Sequence, residues 1–146
     1  MKKLNHFEQK GAYARFCPVG HASLAEGIEL ISRAVLLCRK QKIEKLLVDS
    51  RGLPEFHPPG MSEQYNIAER IAADAASLVA IAHVASPDWI RFGKFSLLVA
   101  KNRGLDVMNF RSETEALKWL LTPATKPTDK SSSRAFESGG LSRAEV

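Results

Sequence analysis

The sequence has little of several features that would identify a class of protein. It contains only two cysteines, Cys17 and Cys38, in 146 residues. Two cysteines cannot form a disulfide scaffold or a four-cysteine zinc site, so we expect both to be buried free thiols in a reducing cytosol. The four histidines share no metal-ligand spacing, and we therefore predict no metal site and no cofactor.

Long apolar runs are also missing. No stretch approaches the roughly 20 apolar residues of a membrane-spanning helix, and residues 1–6 lack the apolar core of a signal peptide. These absences predict a cytoplasmic protein with no integral membrane segment. The net charge is only +5, and no cluster of lysine and arginine is interleaved with aromatic residues. Nucleic acid is therefore not predicted as a partner.

The composition that is present suits one globular domain. Hydrophobic residues make up 45% of the chain and charged residues 25%, which is the usual balance for such a domain. We predict that the domain spans residues 1–121. Residues 122–146 are rich in serine, threonine, lysine and glycine, and we predict a disordered tail because so little apolar surface cannot offset the entropy lost on ordering.

The apolar pattern predicts strands that alternate with helices. Residues 46–48 and 78–84 are short apolar runs typical of strands buried on both faces of a sheet. A predicted hairpin, Phe7–Gly20, precedes them, and residues 105–110 are predicted as the last strand. Strands joined through helices pair in parallel by right-handed crossovers. The predicted fold class is therefore α/β, with a mixed β-sheet of about five strands and an N-terminal hairpin.

Four helices are predicted between and after these strands. Each follows a serine that can accept a hydrogen bond from a free backbone N–H group. These serines are Ser23, Ser62, Ser86 and Ser112. The third helix is predicted to run from Pro87 to Arg103.

Polar residues follow the two buried strands and form the predicted site. Because the carboxyl ends of parallel strands meet at one edge of a sheet, the loops after both strands are expected to open together. The predicted binding residues are Ser50, Arg51, His57, Ser62, Trp89 and Arg91. A small anionic or amphipathic ligand, or a protein partner, is expected at this edge.

Several of these residues have a structural interpretation as well. Asp49 is expected to accept hydrogen bonds from turn N–H groups or to pair with Arg51. His83 is expected to be a satisfied core or strand-end residue. Ser50 has no Gly-x-Ser-x-Gly motif around it and no histidine tied to it by a motif. A linked nucleophile, base and orienting group is therefore missing, and no catalytic residue is assigned.

Four segments carry a resemblance to a known family. They are residues 46–52 (LLVDSRG), 92–95 (FGKF), 99–104 (VAKNRG) and 110–120 (FRSETEALKWL). Their order resembles the STAS domain and, more closely, the SpoIIAA-like group of small bacterial proteins, which are STAS-like and structurally related to CRAL-TRIO lipid carriers. The resemblance spans Tyr13 to Leu121. It implies a STAS-like fold and a role as a regulatory or binding module, without an established activity.

The chain departs from the STAS pattern at one functional position. STAS antagonists carry a phosphorylatable serine in an Asp-Ser-Ser-Gly motif that opens the second helix. Residues 56–62 read Phe-His-Pro-Pro-Gly-Met-Ser instead. Ser62 is only a displaced substitute for that serine, so the phosphorylation switch of the family is not expected here.

Two functions are consistent with the sequence. The first is a non-catalytic STAS-like regulatory or binding module that recognises a protein partner, or a small anionic or apolar ligand, at the carboxyl edge of the sheet. The alternative is a small hydrolase-like enzyme that uses Asp49, Ser50 and His57. The sequence is compatible with a homodimer but does not predict one.

Overall fold

The computed structural model describes residues 4–20, 23–53 and 59–122. These residues form a five-stranded sheet and five helices. The strands are β1 (Phe7–Gln9), β2 (Ala14–Phe16), β3 (Lys45–Asp49), β4 (Ala80–Val84) and β5 (Val107–Phe110). The helices are α1 (Leu24–Lys40), α2 (Met61–Ala75), α3 (Pro87–Phe92), α4 (Lys94–Asn102) and α5 (Glu113–Leu120). Of the predicted tail, residues 123–146 lie outside the described residues.

The strands follow the chain order across the sheet, from β1 to β5. Strand β1 pairs antiparallel with β2, and the remaining neighbours pair in parallel. The predicted α/β class, the mixed sheet of five strands and the N-terminal hairpin are thereby confirmed. Because right-handed crossovers between sequential strands all lie on one face of a sheet, the connecting helices share that face. Helices α1, α2 and α4 pack there, whereas α5 packs on the opposite face.

The central strand β3 is buried on both faces, as its apolar run predicts. Successive side chains of a strand point to opposite faces. Leu46 and Val48 accordingly join the core beneath α1, α2 and α4, and Leu47 joins the core beneath α5. Leu46 and Leu47 have no solvent exposure at all, so β3 contributes to both cores at once.

Three of the four predicted helix starts are confirmed, and the start at Ser62 is wrong. Ser23, Ser86 and Ser112 each accept a hydrogen bond from the backbone N–H three residues later. Helix α2 instead begins at Met61, with Gly60 in the capping position and no side-chain cap. Gly60 has the extended backbone that a cap requires, whereas Ser62 already lies inside the first helical turn. A serine there cannot cap the N–H groups of its own turn.

The predicted helix from Pro87 to Arg103 is also wrong in one respect, because it is divided at Gly93. Helix α3 ends there and α4 begins, which gives five helices where the sequence predicts four. The backbone passes so close to the preceding turn that a Cβ atom on Gly93 would lie 2.9 Å from the carbonyl oxygen of Trp89. The apolar period continues across this point, so the periodicity does not reveal the break.

We expect Gly93→Ala to lower the free energy of unfolding by about 1–3 kcal/mol, because the new methyl group clashes with backbone rather than with a flexible side chain. The matched control is Gly60→Ala, where a Cβ atom meets nothing within 4 Å. Because Gly60 caps α2 and alanine is a poorer capping residue, the control should cost at most about 1 kcal/mol, less than Gly93→Ala. Urea unfolding of both variants measures the difference, and equal losses would show that the close approach at Gly93 is not required.

Candidate functional site

A cavity of about 570 Å³ lies between the sheet and the helices α1, α2 and α4. Ligand pockets in proteins commonly have volumes of about 300–1,000 Å³. Most of the wall is apolar, and it includes Ile28, Ile31, Ile67, Ile71, Ile81 and Leu97. Small residues leave the space open, since Gly27, Ala68 and Ala100 line it where larger side chains would fill it.

The cavity reaches solvent at the carboxyl edge of the sheet. Ser50 and Arg51, directly after β3, and Asp88 and Trp89, after β4, line this end. Arg51 and Asp88 line the cavity and are exposed to solvent as well. Phe92 also lines it and is 42% exposed. The structure therefore brings the ends of two neighbouring parallel strands together at the opening of one cavity.

Three polar side chains form a row on the sheet beneath this opening. Each follows a buried apolar residue by two positions: Ser50 follows Val48, His83 follows Ile81, and Asn109 follows Val107. Since side chains alternate along a strand, each polar residue points to the same face as its apolar partner, which is the cavity face. The strand register pairs Val48 with His83 and His83 with Asn109. The row consequently crosses three adjacent strands.

The members of the row are joined by hydrogen bonds. The distance from Ser50 Oγ to His83 Nε2 is 2.8 Å, and that from His83 Nδ1 to Asn109 Oδ1 is 3.2 Å. With the amide oxygen of Asn109 facing Nδ1, this nitrogen carries the proton of the neutral ring, because an amide oxygen only accepts hydrogen bonds. Nε2 is then unprotonated and accepts the hydrogen bond of the Ser50 hydroxyl. The carbonyl oxygen of Val84 is a more distant acceptor for that hydroxyl, at 3.4 Å.

Burial lowers the pKa of His83 below its ordinary value of 6.5, while the hydrogen bond to Asn109 and the charge of Asp49 act in the opposite direction. Removal from water disfavours the charged imidazolium. The ring of His83 is therefore neutral at physiological pH, as the hydrogen bonds of the row require.

Asp49 and Arg51 form a bidentate ion pair beside the row. Arg51 Nε lies 2.9 Å from Asp49 Oδ1, and Arg51 Nη2 lies 2.8 Å from Asp49 Oδ2. The backbone N–H of Arg51 also donates to the same carboxylate, which confirms the predicted turn and pairing. Burial raises the pKa of Asp49, but the hydrogen bonds from Arg51 outweigh it and hold that pKa below the ordinary value. The charge of Arg51 is thus already matched.

Of the six predicted site residues, three line the cavity, two do not, and one lies outside the described residues. Ser50, Arg51 and Trp89 line the cavity. Ser62 is exposed in the first turn of α2 and is not among the lining residues. Arg91 is not among them either, since its guanidinium pairs with Asp88 and stacks on Phe92. His57 lies outside the described residues.

The sequence interpretation missed the partner of Ser50. The sequence predicts His83 only as a core or strand-end residue and assigns no role to Asn109. The predicted enzyme alternative uses Asp49, Ser50 and His57. Of these, His57 lies outside the described residues, and the Asp49 carboxylate is held by Arg51. A signal for the row was present, because three consecutive strands each carry a polar residue two positions after an apolar one.

Across residues 4–20, 23–53 and 59–122, no group of three or more His, Cys, Asp or Glu side chains could hold a metal ion. Within the same ranges, none of the helices has the length and apolar character needed to cross a bilayer.

Comparison with known proteins gives no match. No family model matches the chain, and no curated protein or solved structure matches it either. The resemblance to the SpoIIAA-like group therefore stays a prediction from the sequence.

We expect the free energy of unfolding to fall as the pH drops below the ordinary His83 pKa of 6.5. The folded state resists protonation of His83 and the unfolded state does not, so the unfolded state binds more protons and stability rises with pH. The slope from this one group is at most about 1.4 kcal/mol per pH unit. Urea unfolding of the wild type between about pH 5 and pH 7.5 measures it.

The matched variant for this measurement is His83→Gln, which keeps a polar side chain but cannot titrate. Its stability should depend less steeply on pH over the same range. Equal slopes in the two proteins would show that His83 does not hold a lowered pKa.

Proposed function

We propose that the protein binds a small amphipathic ligand, with the apolar part of the ligand in the cavity and an uncharged polar end at Ser50, His83 and Asn109. The cavity is the observation that carries this proposal. It combines a mostly apolar wall with a few converging polar groups at one end, and that combination is typical of small-molecule sites. The carboxyl edge of the sheet is where the sequence predicts a ligand, and the opening of the cavity lies there.

A cavity of this size runs against the normal packing of a protein core. Interiors are close-packed and contain few voids larger than a water molecule. Apolar walls that face water forgo about 25 cal/mol of stabilisation for each Å² left unburied. An apolar chain in the cavity would restore that burial, so the walls favour a ligand with a hydrocarbon body.

The charges around the opening favour an uncharged polar end. Arg51 and Asp88 are the charged groups in the described part of the wall. Each already has a partner, Arg51 with Asp49 and Asp88 with Arg91. An ionic head group would therefore lose hydration without gaining an unpaired opposite charge, which is costly. An alcohol, amide or ester can instead exchange hydrogen bonds with the neutral row.

A STAS-like identity, a regulatory role through a protein partner and a cytoplasmic location remain predictions of the sequence. The fold is compatible with the STAS-like identity at the level of the α/β class only. The cavity supports the small-ligand form of the predicted binding module.

We expect decanol to bind the wild-type protein, with a negative heat-capacity change from the burial of apolar surface. Ala68→Phe should weaken this binding at least tenfold, because Ala68 lines the cavity from α2 and a phenyl ring would occupy the space. Ala73→Phe is the matched control, since Ala73 is exposed on the same helix. Isothermal titration calorimetry measures all three proteins.

Ala100→Leu fills the cavity from α4 and serves as a second test if Ala68→Phe does not fold. Melting temperatures of the variants establish that they are folded. Unchanged decanol affinity in both folded cavity variants, or no binding to the wild type, would contradict the proposal.

We expect decanol to bind at least tenfold more tightly than decanoate, a difference of about 1.4 kcal/mol. The two molecules have the same chain length but differ in the charge of the polar end. Competition measured at constant pH and ionic strength gives the ratio. Tighter binding of decanoate, lost in Arg51→Ala, would show instead that Arg51 leaves Asp49 to bind an anion.

A further inference from the structure

We propose that Ser50 is a nucleophile activated by His83, and that the protein hydrolyses an ester whose acyl chain occupies the cavity. This inference rests on the proposed function, because the cavity supplies the binding site for the acyl chain. It assigns a chemical role to a serine and a histidine that no sequence motif connects.

The geometry between Ser50 and His83 is that of a nucleophile and its base. The 2.8 Å distance from Ser50 Oγ to His83 Nε2 lies within the range of about 2.6–3.2 Å needed for direct proton transfer. Nε2 has a free lone pair because Nδ1 carries the ring proton. The base is therefore in the protonation state and orientation in which it can accept the proton of the Ser50 hydroxyl.

Asn109 is the positioning residue of the row. Its side-chain oxygen accepts the Nδ1–H of His83 at 3.2 Å, which selects the tautomer and limits rotation of the ring. A nucleophile, a base and a group that orients the base are the three parts that recur in serine hydrolases of unrelated folds. Here each part comes from a different strand or from the residue directly after it.

The backbone around Ser50 is held on both sides. The N–H of Ser50 donates to the carbonyl oxygen of Val84 at 3.0 Å, and the carbonyl oxygen of Ser50 accepts from the N–H of Leu53 at 3.1 Å. The hydroxyl is thus fixed at the junction of the apolar cavity and its solvent opening. An acyl chain in the cavity would place its ester group at this junction, where water can also arrive.

The reaction proceeds in two balanced steps. Ser50 Oγ attacks the ester carbonyl carbon while its proton moves to His83 Nε2, and the imidazolium then protonates the leaving alcohol oxygen as the C–O bond breaks. Water attacks the resulting acyl-serine and passes a proton to His83, which returns it to Ser50 Oγ as the acid leaves. One ester and one water give one carboxylic acid and one alcohol, with no oxidation or reduction.

A row that only satisfies the hydrogen bonds of polar groups between strands would have a structural role. The structural role and the proposed catalytic role predict different reactivity of Ser50. A structural row leaves Ser50 as inert as any other serine. An activated Ser50 reacts covalently with a fluorophosphonate, which forms an oxygen–phosphorus bond and releases fluoride. Intact-mass spectrometry after incubation with decyl fluorophosphonate, followed by peptide mapping, distinguishes the two.

We expect one adduct on Ser50 in the wild type and none in Ser50→Ala. His83→Gln should slow the reaction at least about 100-fold, within the usual contribution of general base catalysis. Asn109→Ala should slow it less, and Asn109→Asp should restore the rate because a carboxylate accepts the same Nδ1–H. Ser77→Ala is the control, since Ser77 is exposed and its hydroxyl bonds only to the Gly104 carbonyl. It should react like the wild type.

Hydrolysis of p-nitrophenyl acetate and p-nitrophenyl decanoate separates this inference from the proposed function. Turnover of both esters that is lost in Ser50→Ala supports Ser50 as the nucleophile. Faster hydrolysis of p-nitrophenyl decanoate than of p-nitrophenyl acetate also supports the cavity as the site of the acyl chain. Decanol binding without any adduct on Ser50, or an adduct formed equally fast by folded His83→Gln, overturns the nucleophile and leaves the binding proposal standing. Reaction at Ser50 in a protein that does not bind decanol supports the nucleophile but refutes the cavity as the ligand site.

Discussion

The in-register parallel pairing of β3, β4 and β5 is the constraint on which both the fold and the candidate site depend. It aligns Val48 with His83 and His83 with Asn109. A shift of one residue in a strand moves every side chain to the opposite face. Such a shift in β4 would turn His83 towards α5 and bring its neighbours to the cavity. The apolar residues that bury β4 on both faces therefore also hold the position of the polar row.

The sequential strand order explains why the cavity lies where it does. With every crossover of the same hand, α1, α2 and α4 crowd onto one face of the sheet. Ligands of open α/β sheets usually bind where the strand order reverses, and the described strands contain no such reversal. The cavity is instead a gap between the sheet and helices that present small residues to it, and it extends to the carboxyl edge at Ser50.

The ion pairs of the fold are distinct from the row of Ser50, His83 and Asn109, which carries no charge. Arg15 on β2 holds Glu113 on α5 through two hydrogen bonds of 2.7 and 2.9 Å, and this hydrogen bonding lowers the pKa of Glu113. Burial raises the pKa of Cys38 to about 12, so that thiol stays protonated and unreactive. The Ser50 hydroxyl lies 2.8 Å from His83 Nε2, and this contact is the one on which the proposed covalent chemistry rests.

The sequence by itself determined the order of elements, the two-sided burial of β3 and three of the helix starts, because these depend on patterns within a few neighbouring residues. It also placed Ser50 at the carboxyl edge of the sheet, where the sequence predicts a ligand. The break at Gly93 depends on how closely the backbone approaches the preceding turn, and the helix start at Gly60 depends on the extended backbone at that residue. The residue pattern encodes neither feature. The link from Ser50 to His83 spans 33 positions, and that from His83 to Asn109 spans 26. Only the tertiary structure decided those contacts, because the register between strands is set by the packing of both faces of the sheet at once.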